Sequence, residues 1–165
     1  MRRSGALIDA LLLIGLVAGA AWLLQPETVV TGMASAVDGD SLRLDGKDIR
    51  LAGIDAPELH QTCLRDGQRS YPCGEVARKA LSELIAGRLV TCRLGARDRY
   101  RRRLATCEAA GEDVGAALVK KGYALAYGRY QREESAARDK RLELWSGSFE
   151  QPSQWRRTHS DPRGS

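Results

Sequence analysis

Aromatic residues and histidines are scarce in this sequence. One Phe, five Tyr and three Trp in 165 residues mean that any core is mostly aliphatic. No segment is built from a single residue type or a short repeat, which excludes collagen-like chains, solenoid arrays and low-complexity disorder. Only one stretch is apolar enough to cross a bilayer, which excludes a polytopic membrane protein. The length is that of a single domain.

The single long apolar stretch lies at the N-terminus. It follows two arginines and covers residues 6–24 with one aspartate inside it. Small residues at 18–20 suit cleavage as a signal peptide, whereas the run continues past them far enough to act as an uncleaved membrane anchor. We favour the anchor; a buried core helix is the third interpretation. We assign residues 1–27 as a signal peptide or anchor, and expect an exported protein: periplasmic, inner-membrane-anchored or secreted.

Four cysteines agree with export, because disulfides persist in oxidising compartments. Three pairings are possible. Cys63 and Cys73 close a short polar loop, and Cys92 and Cys107 would face each other if their two β-like runs form a hairpin. We therefore predict the bridges Cys63–Cys73 and Cys92–Cys107. Buried free thiols and a zinc site are the alternatives, although Cys-x-x-Cys is absent and the two histidines are far apart in the chain.

From residue 28 onward, short strand patterns come first and helical patterns follow. Asp45-Gly46 lies between two alternating runs, which is a strong signal for a two-residue hairpin. Helical spacing covers residues 74–86, 113–121 and 131–144. This order predicts an α+β domain over residues 28–157, built on a small twisted or barrel-closed sheet. Residues 158–165 are predicted to form a flexible basic tail, and nothing indicates oligomerisation, so we expect a monomer.

Acidic residues and arginines crowd into neighbouring segments. Asp40 follows a glycine, Asp55 and Glu58 flank Ala-Pro, and Arg50 lies between them in the chain. Carboxylates at tight turns suit a hard cation such as calcium, and guanidinium groups match phosphate. A cation, a carboxylate base and arginines are what phosphodiester hydrolysis requires. Taken singly, each motif is more often a turn or a solvated surface; their combination indicates function.

Two runs, VDGDSLRL at 37–44 and IRLAGIDAPE at 49–58, resemble the signature of the staphylococcal nuclease (thermonuclease) family. The resemblance continues through DRYRRRLA at 98–105 and LVKKGYA at 118–124, and reaches about residue 157. It implies a five-stranded OB-fold barrel with about three helices, here preceded by an N-terminal hydrophobic helix. It also implies a calcium-dependent nuclease that cleaves DNA and RNA with little sequence preference.

The resemblance also implies roles for individual residues. Calcium would be bound by two carboxylates and a backbone carbonyl, those of Asp40, Asp55 and Ala56. Glu58 would orient or deprotonate the attacking water, while Arg50 and Arg102 would hold the scissile phosphate. Arg99 and Tyr100 would contact a neighbouring phosphate, and Tyr127 would lie near the nucleotide base.

One departure from the family pattern concerns the second arginine. The family commonly has Tyr-Gly-Arg where this chain has Tyr100-Arg101-Arg102. Loss of the glycine would disfavour a left-handed turn and change which arginine faces the pocket. We expect Arg102 to be the functional arginine, with Arg101 and Arg103 as alternatives.

A strict two-residue hairpin at Asp45-Gly46 creates a geometric conflict. It pairs Ser41 with Arg50, so Asp40 falls opposite Leu51 and on the face away from Arg50. We therefore expect a bulge, or a strand that begins only after Asp40, to bring Asp40 and Arg50 together.

Three functions remain open at this point. The first is a phosphodiesterase acting on DNA or RNA, bound to the membrane through residues 1–27 if they are uncleaved. The second is a non-catalytic OB-fold envelope protein, since some similar proteins carry names linked to succinoglycan production. The third is a nucleic-acid-binding module that uses the net charge of +5. The carboxylates favour the enzyme, because a binding module has no use for them beside an anionic ligand.

Overall fold

The computed structural model describes residues 28–66 and 68–159. The predicted N-terminal helix at residues 1–27 lies outside this part of the chain, as do residues 160–165. The strands are β1 (Thr28–Ala36), β2 (Ser41–Leu44), β3 (Lys47–Leu51), β4 (Ile54–Asp55), β5 (Cys63–Arg65), β6 (Arg69–Tyr71), β7 (Leu89–Arg97), β8 (Arg103–Ala109), β9 (Glu112–Asp113), β10 (Leu125–Ala126) and β11 (Gly147–Ser148). The helices are α1 (Cys73–Ile85), α2 (Val114–Lys120), α3 (Gln131–Asp139) and α4 (Pro152–His159), with a 3-10 turn at Glu143–Ser146. None of these helices is both long and apolar enough to span a bilayer.

Five strands form a closed barrel. Antiparallel pairing runs in the order β3-β2-β1-β7-β8, with β9 added to β8. Parallel pairing of β3 with β8 closes the sheet, with Arg50 opposite Leu104. The fold is therefore the expected α+β OB-type barrel, with one helix more than the resemblance implied.

The hairpin between β2 and β3 has the predicted register. Asp45 and Gly46 both have positive φ, 49° and 74°, as a two-residue turn of this hand requires. Leu44 pairs with Lys47 and Ser41 with Arg50. Since β2 begins only at Ser41, the irregularity predicted for Asp40 takes the form of a late strand start.

The core is mostly aliphatic, as the scarcity of aromatics required. Leu42, Leu51 and Val90 are buried inside the barrel wall, and α1 adds Leu81 and Ile85 from one face. The spacing of the buried α1 positions is helical, so this helix covers the barrel with a continuous apolar stripe.

Both predicted disulfides are present, and no cysteine is free. Cys92 pairs with Cys107 across β7 and β8, at directly opposite positions in the register. Cys63 joins β5 to Cys73 at the start of α1. The zinc and free-thiol alternatives are therefore wrong.

The C-terminal part of the chain differs from the sequence-based expectation. Helix α3 ends at Asp139, five residues early, and Arg141 then has a left-handed φ of 51°. Helix α4 runs to His159, so Thr158 and His159 belong to a helix and not to the expected loose tail. Sequence periodicity missed α4 because its eight residues are too few for a clear pattern.

We predict that removing the β7–β8 bridge lowers stability. Cys92 and Cys107 are buried, and they are 15 residues apart. Replacing both by Ala should reduce the free energy of unfolding by about 2–4 kcal/mol, through loss of the covalent constraint on the unfolded chain. Urea titration of the oxidised protein measures this, and intact mass after alkylation checks that the Cys63–Cys73 bridge is still formed. An unchanged urea midpoint would contradict the prediction.

Candidate active site

Asp40 is a buried carboxylate at the entrance to β2. Only 3% of the surface of Asp40 is exposed to solvent. Oδ2 accepts a hydrogen bond from the backbone N–H of Ala56 at 2.9 Å, and Oδ1 accepts one from Ser41 Oγ at 3.2 Å. Gly39 makes this position possible, because a Cβ there would lie 2.7 Å from Ala56 Cβ and 2.8 Å from Ala77 Cβ. The bend thus packs Gly39 between the loop after β4 and helix α1, and places Asp40 next to that loop.

Burial dominates the electrostatics of Asp40. Desolvation raises its pKa to about 7, against the lowering effect of the Arg50 charge. The charges of Asp38 and Asp55 raise it further, and the Ala56 N–H lowers it. The Asp40 carboxylate is therefore short of positive charge in this structure.

Arg50 joins two of the predicted metal-binding residues. Its Nη1 lies 2.7 Å from Asp40 Oδ1 and its Nη2 lies 3.0 Å from Asp55 Oδ1. The side chain is 16% exposed, so this fork is shielded from water. The late start of β2 frees Asp40 from strand alternation, which lets it reach the face that carries Arg50.

Arg156 on α4 completes this cluster, and the sequence analysis missed it. Nη1 donates to Asp55 Oδ1 at 3.0 Å and to Glu58 Oε1 at 2.6 Å, while Nη2 donates to Asp55 Oδ2 at 3.1 Å. Partial burial lowers the pKa of the guanidinium, but the hydrogen bonds to Asp55 and Glu58 outweigh it and hold the pKa above its ordinary value. No spacing signal connects residues 101 positions apart, so only the folded chain reveals this contact.

Gln61 is a second residue that the sequence analysis missed. It is fully buried. Its Oε1 accepts from the Glu58 backbone N–H at 3.1 Å, and its Nε2 donates to the Glu150 carbonyl at 2.6 Å. Gln61 therefore connects the backbone that carries Glu58 to the segment that leads into α4.

The loop between β7 and β8 keeps its left-handed turn without a glycine. Arg101 has a φ of 66°, so our expectation that losing the glycine would disfavour this turn is wrong. Asp98 holds the loop, because its carboxylate accepts from the backbone N–H groups of Tyr100 and Arg102, both at 2.9 Å. These bonds offset the cost of a non-glycine residue in this conformation.

The predicted site residues fall into two groups. Asp40, Arg50, Asp55 and Glu58 form the cluster described above, with Ala56 beside it. Arg102 instead forms an ion pair with Asp98 at 2.8 Å, and within residues 28–66 and 68–159 no ion pair links it to the acidic cluster. Of the alternatives, Arg103 donates to the Gly95 carbonyl, and Arg101 contributes its backbone oxygen to Arg97.

Two of the residues that the resemblance assigned to substrate contacts are exposed tyrosines. Tyr100 is 62% exposed, and the guanidinium groups of Arg99 and Arg102 lie over its ring. Tyr127 is 76% exposed and follows β10, which pairs with the strand that carries Asp55. Tyr127 therefore presents an exposed ring, whereas the ring of Tyr100 is engaged by the two guanidinium groups.

The donor set suits a hard cation. Asp40 and Asp55 offer carboxylate oxygens, and Asp40 is a desolvated carboxylate whose burial a bound cation would compensate. In the described part of the chain, no three His, Cys, Asp or Glu side chains lie close enough together to form a metal-binding group. An ion here would thus depend on two carboxylates, a carbonyl such as that of Ala56, and water.

Comparison with known proteins is consistent with this geometry. Residues 48–147 match the family described as staphylococcal nuclease homologue. The chain is 38% identical over 126 residues to a protein of Rhizobium meliloti (strain 1021) named succinoglycan biosynthesis protein ExoI, covering 75% of this chain and 62% of that one. It is 33% identical to an uncharacterized endonuclease of Haemophilus influenzae, with 73% and 68% covered, and 32% identical to the staphylococcal-like nuclease CAN1 of Arabidopsis thaliana, with 66% and 33% covered. The chain thus spans between a third and about two thirds of these relatives.

We predict an unusual pH dependence of stability at Asp40. Because its folded pKa of about 7 lies above the unfolded value of about 3.9, the folded chain keeps a proton that the unfolded chain loses between those values, and stability falls as pH rises. Asp40→Asn removes this effect. In chelator, the stability of Asp40→Asn relative to wild type should therefore increase from pH 5 to pH 7, as measured by urea unfolding.

The exposed Glu112→Gln variant is the control, and its stability relative to wild type should change little over the same range. A constant difference between Asp40→Asn and wild type would show that Asp40 is ionised throughout.

Proposed function

Since the chain belongs to the staphylococcal nuclease family, we propose that it is a calcium-dependent nuclease. It would hydrolyse phosphodiester bonds of DNA and RNA with low sequence specificity, in the periplasm or outside the cell. The observation that carries this proposal is the Arg50 fork between Asp40 and Asp55. Two disulfides support an oxidising compartment.

Arg50 is suited to binding phosphate through the transition state. A guanidinium has five N–H donors, and the two carboxylates engage one from each terminal nitrogen. The remaining donors can reach oxygens of a phosphate beside the cluster, and low exposure strengthens those bonds as negative charge develops. The carboxylates fix the plane of the fork, so little reorganisation is needed when substrate arrives.

Calcium would be held by Asp40, Asp55 and the carbonyl of Ala56. When bound, the ion supplies charge neutralisation and polarises a phosphate oxygen. The protein's own contribution is a rigid oxygen-rich corner: the Ala56 N–H fixes Asp40 Oδ2, and Arg50 fixes one oxygen of each aspartate.

Glu58 would orient or deprotonate the attacking water. Its side chain is 31% exposed, and Arg156 contacts Oε1. Gln61 holds the Glu58 backbone in place, so the carboxylate stays at the edge of the cluster, where water has access.

Substrate beyond the scissile phosphate would lie on the exposed tyrosines and arginines. Arg99 and Tyr100 would contact a neighbouring phosphate and Tyr127 a base, while Arg102 would join Arg50 at the scissile phosphate. Stacking on aromatic rings and charge pairing with the backbone do not read base edges, which agrees with low sequence specificity.

A polysaccharide-related role is the second candidate. One relative, 38% identical, is named for succinoglycan biosynthesis, and OB-fold barrels also bind oligosaccharides. A binding protein for neutral or acidic sugars has no need of a buried Asp40–Arg50–Asp55 array, and this favours the nuclease.

We predict that Arg50→Gln abolishes nuclease activity. The full chain, with disulfides intact, should shorten single-stranded DNA in calcium and not in chelator. Loss of the Arg50 fork should reduce the cleavage rate by about 100-fold or more, as expected for a group that stabilises transition-state charge. Arg43→Gln is the matched control: Arg43 lies in the adjacent strand, is half exposed and, among residues 28–66 and 68–159, pairs only with Asp48, so its loss should change the rate less than about twofold.

Cleavage that persists in chelator would exclude the calcium requirement. DNA binding without cleavage would instead indicate a binding module, and neither cleavage nor binding would favour the polysaccharide-related candidate.

A further inference from the structure

The contacts of Arg156 are those expected of a resident cation. Its guanidinium lies on both oxygens of Asp55 and on one oxygen of Glu58. We propose that Arg156 is a tethered cation that competes with the divalent ion, so that docking of α4 and metal binding oppose each other at Asp55, the metal ligand that Arg156 occupies. This inference rests on the calcium binding of the proposed function, but not on hydrolysis.

Lone-pair counting shows what Arg156 occupies. Each carboxylate oxygen accepts about two hydrogen bonds. Asp55 Oδ1 already accepts from Arg50 and Arg156, so it is saturated, and Oδ2 has one position left after Arg156. Without Arg156, Asp55 would have three positions available and Glu58 would regain one on Oε1. A cation at Asp55 therefore meets Arg156 as its direct competitor.

Charge gives the same result. Three carboxylates, those of Asp40, Asp55 and Glu58, face two guanidinium groups in the cluster. With all five groups ionised, their formal charge is −1, and it would be −2 without Arg156. Asp55 is only 14% exposed, so the Arg156 charge acts on it over a short distance at a reduced dielectric and weakens its attraction for a divalent ion.

Helix α4 is suited to undocking from the acidic cluster. It has eight residues, a length at which an isolated helix is unstable in water, so its structure depends on docking. Pro152 is buried and anchors its start, whereas Arg157, Thr158 and His159 are exposed. The Arg156 ion pairs join this part of the helix to the acidic cluster. Because coupling between two ligands is reciprocal, an ion that displaces Arg156 should loosen α4.

The test compares Arg156→Gln with Arg157→Gln. Both variants remove one positive charge from the same helix, but only the first removes the contact with Asp55 and Glu58. Calcium affinity is measured by isothermal titration calorimetry on the full chain in detergent, with disulfides intact and no nucleic acid. We expect Arg156→Gln to bind calcium about 10-fold more tightly than wild type, and Arg157→Gln to differ less than about twofold.

Hydrogen exchange gives an independent readout that does not involve activity. Calcium should accelerate amide exchange over residues 152–159 in wild type and in Arg157→Gln. In Arg156→Gln, exchange there should already be fast without calcium, while exchange in the β7–β8 strands stays slow and shows that the barrel is folded.

The outcomes separate the two proposals. If wild type binds calcium and Arg156→Gln binds it equally or more weakly, the competition is refuted while the proposed nuclease stands. Calcium binding by Arg156→Gln alone would support the competition strongly. If neither protein binds calcium, the calcium requirement of the proposed function fails, and this inference fails with it.

Discussion

The cluster is organised by the need to compensate a buried carboxylate. Asp40 is almost fully buried and accepts a hydrogen bond from the backbone N–H of Ala56, and an unpaired charge there would be strongly unfavourable. Arg50 on the neighbouring strand forms an ion pair with Asp40, and it also pairs with Asp55. Because one guanidinium does not lower the pKa of Asp40 to its ordinary value, the site retains a demand for positive charge. The attraction of Asp40 for Arg50, and for any cation that the site would bind, thus comes from the same burial.

Local sequence rules accounted for much of the barrel and for the meeting of Asp40 with Arg50. Asp45-Gly46 set the hairpin, the hairpin set the pairing of Ser41 with Arg50, and that register required β2 to start after Asp40. The facing strands of β7 and β8 likewise placed Cys92 opposite Cys107. Each of these inferences used contacts close in sequence, where turn type and strand period leave few alternatives.

The remaining contacts depend on how distant segments pack. Arg156 reaches Asp55 across 101 positions, and Gln61 reaches the Glu150 carbonyl across 89. Neither contact has a local sequence signal, because the two partners lie far apart in the chain and an isolated arginine or glutamine is ordinarily solvated. The prediction for the loop at Arg101 failed for another reason. A glycine was expected to be necessary for the left-handed turn, but Asp98 accepts enough hydrogen bonds to hold an arginine there.

The segment that matches the family does not contain the whole cluster. It covers residues 48–147, which includes Arg50, Asp55 and Glu58 but neither Asp40 nor Arg156. Asp40 joins the cluster through the β2–β3 hairpin, since it directly precedes β2 and β2 pairs with the strand that carries Arg50, and so it follows from the shared fold. Arg156 arrives on a helix after the last barrel strand, held through Gln61 and the Glu150 carbonyl. Its charge is therefore set by a segment that can vary without changing the barrel. Loss of Arg156 from α4 would leave the carboxylates of Asp55 and Glu58 with less compensating positive charge, while the Asp40–Arg50 ion pair would stay in place.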